Sequence, residues 1–147
     1  MNGMTSASSP FPGFDGVPSK PLDTDALIEE RVADLIGRAA SRQLWFLFVD
    51  ELDLQLPLLI PIDGLPFRPD TAQTLEVLER VREVMGDIGA SSIVVVFERY
   101  GPAALDDRDI EWAKSISTGC AECGVVLRAQ LLSHRSGVRW IAPDDLL

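Results

Sequence analysis

The chain has 147 residues, of which 46% are hydrophobic and 24% are charged, and its formal net charge is −10 at pH 7. This length fits one globular domain, and the apolar fraction is too high for a wholly disordered chain. The excess of acidic side chains repels phosphate groups, which argues against a nucleic-acid binder or a protein of anionic membrane surfaces. No apolar run in the sequence reaches the roughly 18 residues of a membrane-spanning helix.

Residues 1–21 are rich in Ser, Pro and Gly and predict a disordered tail, followed by a single domain over residues 22–147. The two aromatic side chains of the tail, Phe11 and Phe14, can dock on the domain or on a partner, although a tail without a binding role is the simpler interpretation. The first residues lack the basic and apolar regions of a secretory signal, and two cysteines make no disulfide framework. We therefore expect a cytoplasmic protein.

The first half of the domain predicts one helix and two strands. The helix is capped by Asp23 or Thr24 and ends before Ser41. The strands cover residues 44–49 and 54–62, and the short connection between them predicts an antiparallel hairpin. Pro57 and Pro61 cannot donate hydrogen bonds within a sheet, so the second strand is predicted at a sheet edge or a bulge.

The second half alternates helices and strands. Asp70 caps a long helix that ends at Gly86 or Gly89. Residues 92–97 are apolar and β-branched, which is typical of a strand covered on both faces. A third helix is predicted from residue 106 or 107 to Cys120. Strands at residues 125–133 and 138–141 are predicted to form a second hairpin around His134 to Gly137.

These elements predict an α/β fold, a layered sandwich of three helices and a mixed five-stranded sheet. Along the chain the order is α-β-β-α-β-α-β-β. Helical crossovers make strands two, three and four parallel, and the expected spatial order is five-four-three-one-two. With both crossover helices on one face, either the first helix alone or a second copy of the chain must cover the other face.

The later two-thirds of the chain carries a pattern of structural motifs. It comprises an opening Gln-Leu-Pro at 55–57, an apolar strand at 93–97, Gly-Val at 124–125 and Ser-His at 133–134 leading to Gly-Val-Arg-Trp at 137–140. The pattern resembles a class of small actinobacterial proteins of unknown function. The resemblance implies a similar fold and brings no activity, cofactor or catalytic residue with it.

Polar residues follow the predicted parallel strands. His134, the only histidine, lies with Ser133 at the end of one strand, and Glu98 and Asp63 lie at the ends of the others. Ligands of open α/β sheets bind beyond these ends. Glu98 and His134 can act as catalytic residues, with Glu98 orienting His134 as a general base, or the two can hold a metal. Arg99 can share their cleft. The simpler alternative is a solvated His134 in a hairpin turn.

Cys120 and Cys123 form a Cys-x-x-Cys motif near the end of the third helix. Redox motifs of the thioredoxin type lie at a helix N-terminus, where the helix dipole lowers the thiol pKa, so the position disfavours redox chemistry. Zinc is the metal alternative, with Cys120, Cys123 and His134 as ligands. A carboxylate or a second subunit must then complete the set of four. The simpler interpretation is one packed thiol and one exposed thiol without a cofactor.

Two acidic clusters need no ligand. The turn at residues 50–53 lacks the spacing of an EF-hand loop, and the acidic residues at 106–109 are explained by capping and dipole interactions of a helix start. Trp45, Trp112 and Trp140 are expected in the core, with one of them at a partner surface as the alternative.

The sequence contains no glycine-rich phosphate-binding loop and no Gly-x-Ser-x-Gly nucleophile motif. This favours a non-enzymatic interaction or regulatory module that acts as a homodimer or as a complex subunit. The alternative is a small hydrolytic or metal-dependent enzyme with a site at the carboxyl ends of the parallel strands.

Overall fold

The computed structural model describes residues 21–147, so nearly all of the predicted tail, with Phe11 and Phe14, lies outside the described residues. The described part has three helices and five strands, followed by a 3-10 turn at Pro143–Leu146. The helices are α1 (Asp25–Leu35), α2 (Thr71–Ile88) and α3 (Asp107–Cys123). The strands are β1 (Gln43–Val49), β2 (Gln55–Ile62), β3 (Ser92–Glu98), β4 (Leu127–His134) and β5 (Gly137–Trp140).

The strands form one mixed sheet in the order β2-β1-β3-β4-β5, which confirms the predicted α/β fold and strand order. β1 is antiparallel to both β2 and β3, β3 is parallel to β4, and β4 is antiparallel to β5. β2, β3 and β4 therefore run in the same direction. We call the edge of the sheet where these three strands end, at Ile62, Glu98 and His134, the carboxyl edge, and its opposite the amino edge.

Helix ends follow the predicted local chemistry. The side chain of Asp70 accepts a hydrogen bond from the Gln73 amide at the start of α2, and Gly89 ends that helix in a left-handed conformation. α3 begins with a reciprocal capping box between Asp106 and Asp109. It continues to Cys123, three residues beyond the predicted end at Cys120. It ends there because the next residue, Gly124, adopts the left-handed terminating conformation.

The two faces of the sheet are covered by different helices of the same chain. α2 and α3 pack on the face that contains Phe46, Val95 and Leu132. α1 packs on the other face, where Leu47, Val94, Val96 and Leu131 are fully buried together with Ile28 and Val32. Of the two predicted ways to cover this face, the structure shows the helix. A second copy of the chain is not needed to bury it.

Both open edges of the sheet are poor surfaces for pairing with another strand. Pro57 and Pro61 lie in the edge strand β2 and lack amide hydrogens, and β5 at the other edge has only four residues. Within residues 21–147, no helix is long and apolar enough to cross a membrane.

Candidate binding site at the carboxyl edge of the sheet

Glu98 is a buried carboxylate at the end of β3. Its Oε2 accepts hydrogen bonds from the backbone amides of Ala40 and Ser41 at 2.6 and 2.8 Å. Its Oε1 accepts from Gln43 Nε2 at 2.9 Å and Trp45 Nε1 at 2.8 Å. Burial opposes ionisation, but these hydrogen bonds outweigh it and hold the pKa of Glu98 below its usual value. Glu98 is therefore an ionised anchor for the segment that leads from α1 into β1.

The structure does not bring Glu98 and His134 together. Glu98 is paired in register with Ser133, and side chains alternate between the two faces of a strand. Ser133 points towards α1, where its hydroxyl donates to the carbonyl of Gly37 at 2.6 Å. His134 lies two residues after the buried Leu132 and therefore on the same face as Leu132, which is the face opposite to that of Ser133. The two proposed catalytic side chains thus project from opposite faces of the sheet.

His134 is buried at the end of β4, so the alternative prediction of a solvated histidine in a hairpin turn is wrong. Its Nδ1 lies 3.2 Å from the amide of Ser136 and accepts that hydrogen bond. Burial, followed by the positive charges of Arg99, Arg139 and Arg135, lowers the pKa of His134. The imidazole is therefore neutral near pH 7, and its only assigned hydrogen bond is local.

Arg99 and Asp109 form a buried ion pair that capping alone did not predict. Arg99 Nε and Nη2 donate to the two carboxylate oxygens of Asp109 at 3.0 and 2.7 Å. The other N–H groups donate to the carbonyls of Tyr100, Pro102 and Ala104. Hydrogen bonding to Asp109 raises the pKa of Arg99. Because all the donors of Arg99 are used, this arginine shapes the loop after β3 and has none left for a ligand.

Cys120 and Cys123 are both buried, so the expectation of one exposed thiol is wrong. Burial and the neighbouring Cys123 raise the pKa of Cys120 to about 12, and burial also raises the pKa of Cys123. Both lie in the last turn of α3, at the amino edge, whereas His134 lies at the carboxyl edge. The predicted zinc ligands are therefore far apart, and residues 21–147 contain no group of three His, Cys, Asp or Glu side chains placed to hold a metal.

The acidic turn between β1 and β2 is explained by its own backbone. Asp50 Oδ1 accepts hydrogen bonds from the amides of Leu52 and Leu54, and Asp53 adopts a positive φ of 63°. Asp63, the remaining strand-end residue, is separated from Glu98 by β1, as the strand order predicts. None of these residues converges with another sequence candidate.

The open part of the carboxyl edge consists of two neighbouring clefts. The first, the apolar cleft, has a volume of about 240 Å³. Its apolar lining comes from Leu44, Ile62, Leu65, Val77, Trp112 and Ile116. The second, the arginine cleft, has a volume of about 170 Å³. Its lining is formed by Arg42, Phe97, Arg99, Tyr100, Asp106, Arg108 and Asp109.

The loop after β2, at residues 63–69, lines the apolar cleft and is held in place by contacts from Arg42, which precedes β1, and from α3. The guanidinium of Arg42 donates to the carbonyls of Leu65 and Pro66 at 2.7 and 2.8 Å. The guanidinium of Arg108 lies 3.7 Å from the ring centroid of Phe67. Phe67 nevertheless remains 61% exposed. The loop therefore presents an aromatic ring to solvent from a fixed backbone.

Sequence reasoning did not single out Arg42, Phe67 or Arg108. A signal was present for two of them: Phe67 is an aromatic residue between prolines in a loop after a parallel strand, and Arg108 is a lone cation in an acidic helix start. The sequence matches no protein-family model and no curated protein. The resemblance to small actinobacterial proteins stays a prediction, and function has to be argued from the geometry.

Proposed function

We propose that the chain is a non-catalytic interaction module that acts as a homodimer or as a subunit of a larger complex. Its contact surface is the aromatic rim, which we define as Phe67 and Tyr100 with the adjoining apolar cleft. The observation that carries this proposal is a difference between the polar and the aromatic side chains at the carboxyl edge. The carboxylate of Glu98 and Nδ1 of His134 are used in structural hydrogen bonds, while the aromatic groups beside them are open to solvent.

The aromatic rim has the character of a protein-binding hot spot. Phe67 and Tyr100 are 61% and 67% exposed. Tyr100 is held by a hydrogen bond from its hydroxyl to the carbonyl of Ala40 at 2.7 Å, and Phe67 is stacked under Arg108. Large aromatic side chains that are already immobilised lose little entropy when a partner covers them. Contact through side chains also agrees with the two sheet edges, which offer little to a pairing strand.

The homodimer form of the proposal is tested by sedimentation velocity of the full chain over a wide range of concentrations. The test variant is Phe67→Ser. The matched control is Leu52→Ser, because Leu52 is similarly exposed at 66% but lies in the β1–β2 turn at the amino edge. We expect a concentration-dependent dimer that Phe67→Ser abolishes and Leu52→Ser preserves. A dimer that survives Phe67→Ser would place the contact elsewhere and contradict the proposed surface.

If the wild-type chain is a monomer at every concentration, the homodimer form is wrong and the complex-subunit form is tested directly. A photo-crosslinking amino acid is placed at position 67 or, as the control, at position 52, and the full chain is irradiated in its native cells. A defined product at position 67 that is missing at position 52 supports the surface. Equal products at both positions, or none, would reject the interaction module.

A further inference from the structure

The arginine cleft carries a positive charge that is unusual in this chain. Three guanidinium groups line it against two carboxylates, whereas the whole chain has 23 acidic and 13 basic side chains. Arg99 and Asp109 neutralise each other in the floor of the cleft. The capping box occupies the amides of Asp106 and Asp109 at the start of α3. The feature that distinguishes the cleft is therefore that Arg42 and Arg108 have no ion-pair partner within residues 21–147.

Arg108 has no hydrogen-bond or ion-pair partner among residues 21–147, although its guanidinium is fixed in place. It stacks on Phe67 with 3.7 Å between the guanidinium carbon and the ring centroid. Stacking uses the face of the guanidinium and leaves its N–H groups free at the edge. A planar fork of donors held in this way is suited to donating two parallel hydrogen bonds to one oxyanion.

Arg42 supplies the second cation. Its two Nη atoms bind carbonyls of the loop after β2, and its Nε has no acceptor within the described part of the chain. No carboxylate of residues 21–147 lies within ion-pair distance of Arg42. Arg42 and Arg108 line the same cleft, and burial, followed by the positive charge of Arg108, lowers the pKa of Arg42. An anion between them would relieve the repulsion of the two positive charges.

We propose that the arginine cleft is a binding site for a single oxyanion, a carboxylate or a phosphate group, held by Arg108 with Arg42 as the second cation. The volume of about 170 Å³ suits one such group rather than a nucleotide or an extended chain. The proposal goes beyond the interaction module, because it assigns an ionic ligand that the chain can bind before any partner covers the aromatic rim.

The test is an NMR titration of the full chain with inorganic phosphate and, separately, with acetate, at constant ionic strength and pH. The observed signals are the Nε–Hε groups of the arginines and the backbone amides of Tyr100 and Gly101. We expect saturable shifts at Arg108 and in this loop with one or both ions. Saturation with phosphate alone identifies a phosphate site, and saturation with acetate alone identifies a carboxylate site.

The test variant is Arg108→Gln, and the matched control is Arg80→Gln, which removes an exposed guanidinium from α2. Loss of a charged bidentate contact is expected to weaken binding about tenfold or more, while the control binds as the wild type does. Phe67→Leu removes the stacking surface and keeps both cations, so it is expected to give a smaller loss. Absence of saturable shifts with both ions, or wild-type affinity in Arg108→Gln, would overturn the proposal.

Discussion

Two groups of charged side chains lie next to each other at the carboxyl edge, and they differ in how completely their hydrogen bonds are used. The first group is the buried polar network of Glu98 with its donors and of Arg99 with Asp109. The second is the pair Arg42 and Arg108 of the arginine cleft, in which Arg108 has no polar partner within residues 21–147 and Arg42 binds only loop carbonyls. Structural and binding groups therefore cannot be told apart here by residue type. They differ in the number of their hydrogen-bonding atoms that are unused.

If the buried network is structural, breaking its ion pair will have the largest effect on stability. Asp109→Ala leaves the guanidinium of Arg99 buried without its counter-charge, and the side chains of the pair are only 1% and 10% exposed. The expected loss is about 3–5 kcal/mol of the free energy of unfolding, measured by urea denaturation. Asp107→Ala in the same helix turn is the control and should cost about 0.5 kcal/mol, the dipole contribution. Similar losses in both variants would contradict the structural role.

Glu98→Gln is expected to have the next largest effect. The amide keeps one acceptor oxygen but turns an NH₂ group towards donors such as Trp45 Nε1 or the Ser41 amide. The expected loss is about 2–3 kcal/mol in the same assay. The loss should disappear under acid, because stability from a carboxylate of lowered pKa is present above its usual pKa and vanishes as the pH falls through its folded value. Glu83→Gln, on the exposed face of α2, is the control. A Glu98→Gln variant as stable as the wild type would reject the anchor role.

His134 gives a smaller, pH-dependent effect. Its folded pKa is lowered from 6.5, so the unfolded chain binds the extra proton in the window just below that value. Stability should therefore rise with pH up to about 6.5 and then level off, with a slope of at most about 1.4 kcal/mol per pH unit for one proton. Because the chain has one histidine, His134→Asn should remove the slope. A slope that persists in this variant would assign it to another group.

Arg108→Gln should have the smallest effect on stability, within about 1 kcal/mol, because its side chain makes no hydrogen bond in the described chain and loses only the contact with the exposed Phe67 ring. The measurement is thermal unfolding of the variant beside Arg80→Gln, without added phosphate or carboxylate. Together with lost anion binding, an unchanged melting temperature would separate the arginine cleft from the buried network. A large destabilisation would instead make Arg108 a structural residue like Arg99.

Much of the fold was predictable because its signals are local. Caps at Thr24, Asp70 and Asp106 and the stop at Gly89 set helix ends through neighbouring backbone groups. The stop of α3 at Gly124 was not predicted. The connections between strands then dictated which of them are parallel, and the prolines of β2 placed it at the edge. Two alternatives remained for what covers the second face of the sheet, because local sequence patterns do not show which apolar surfaces meet.

The candidate site was predicted far less well. Both clefts lie beyond the ends of the parallel strands, the region in which a site was predicted. The choice of Glu98 and His134 did not take the alternation of side chains along a strand into account. Glu98 lies beside Ser133, so His134, the next residue, faces the other side of the sheet. It also could not anticipate that four donors from residues 40–45 converge on one carboxylate.

The sequence by itself determined the α/β class and the helix boundaries to within a few residues, because periodicity, caps, glycines and prolines act over short distances along the chain. It also predicted a strand order that the structure confirms. Only the tertiary structure decided which charges are used. Hydrogen-bond saturation of Glu98 and Arg99, and the free donors of Arg108, depend on atoms brought together from distant parts of the chain, such as Phe67 and Arg108. The function proposed for this edge rests on those long-range contacts.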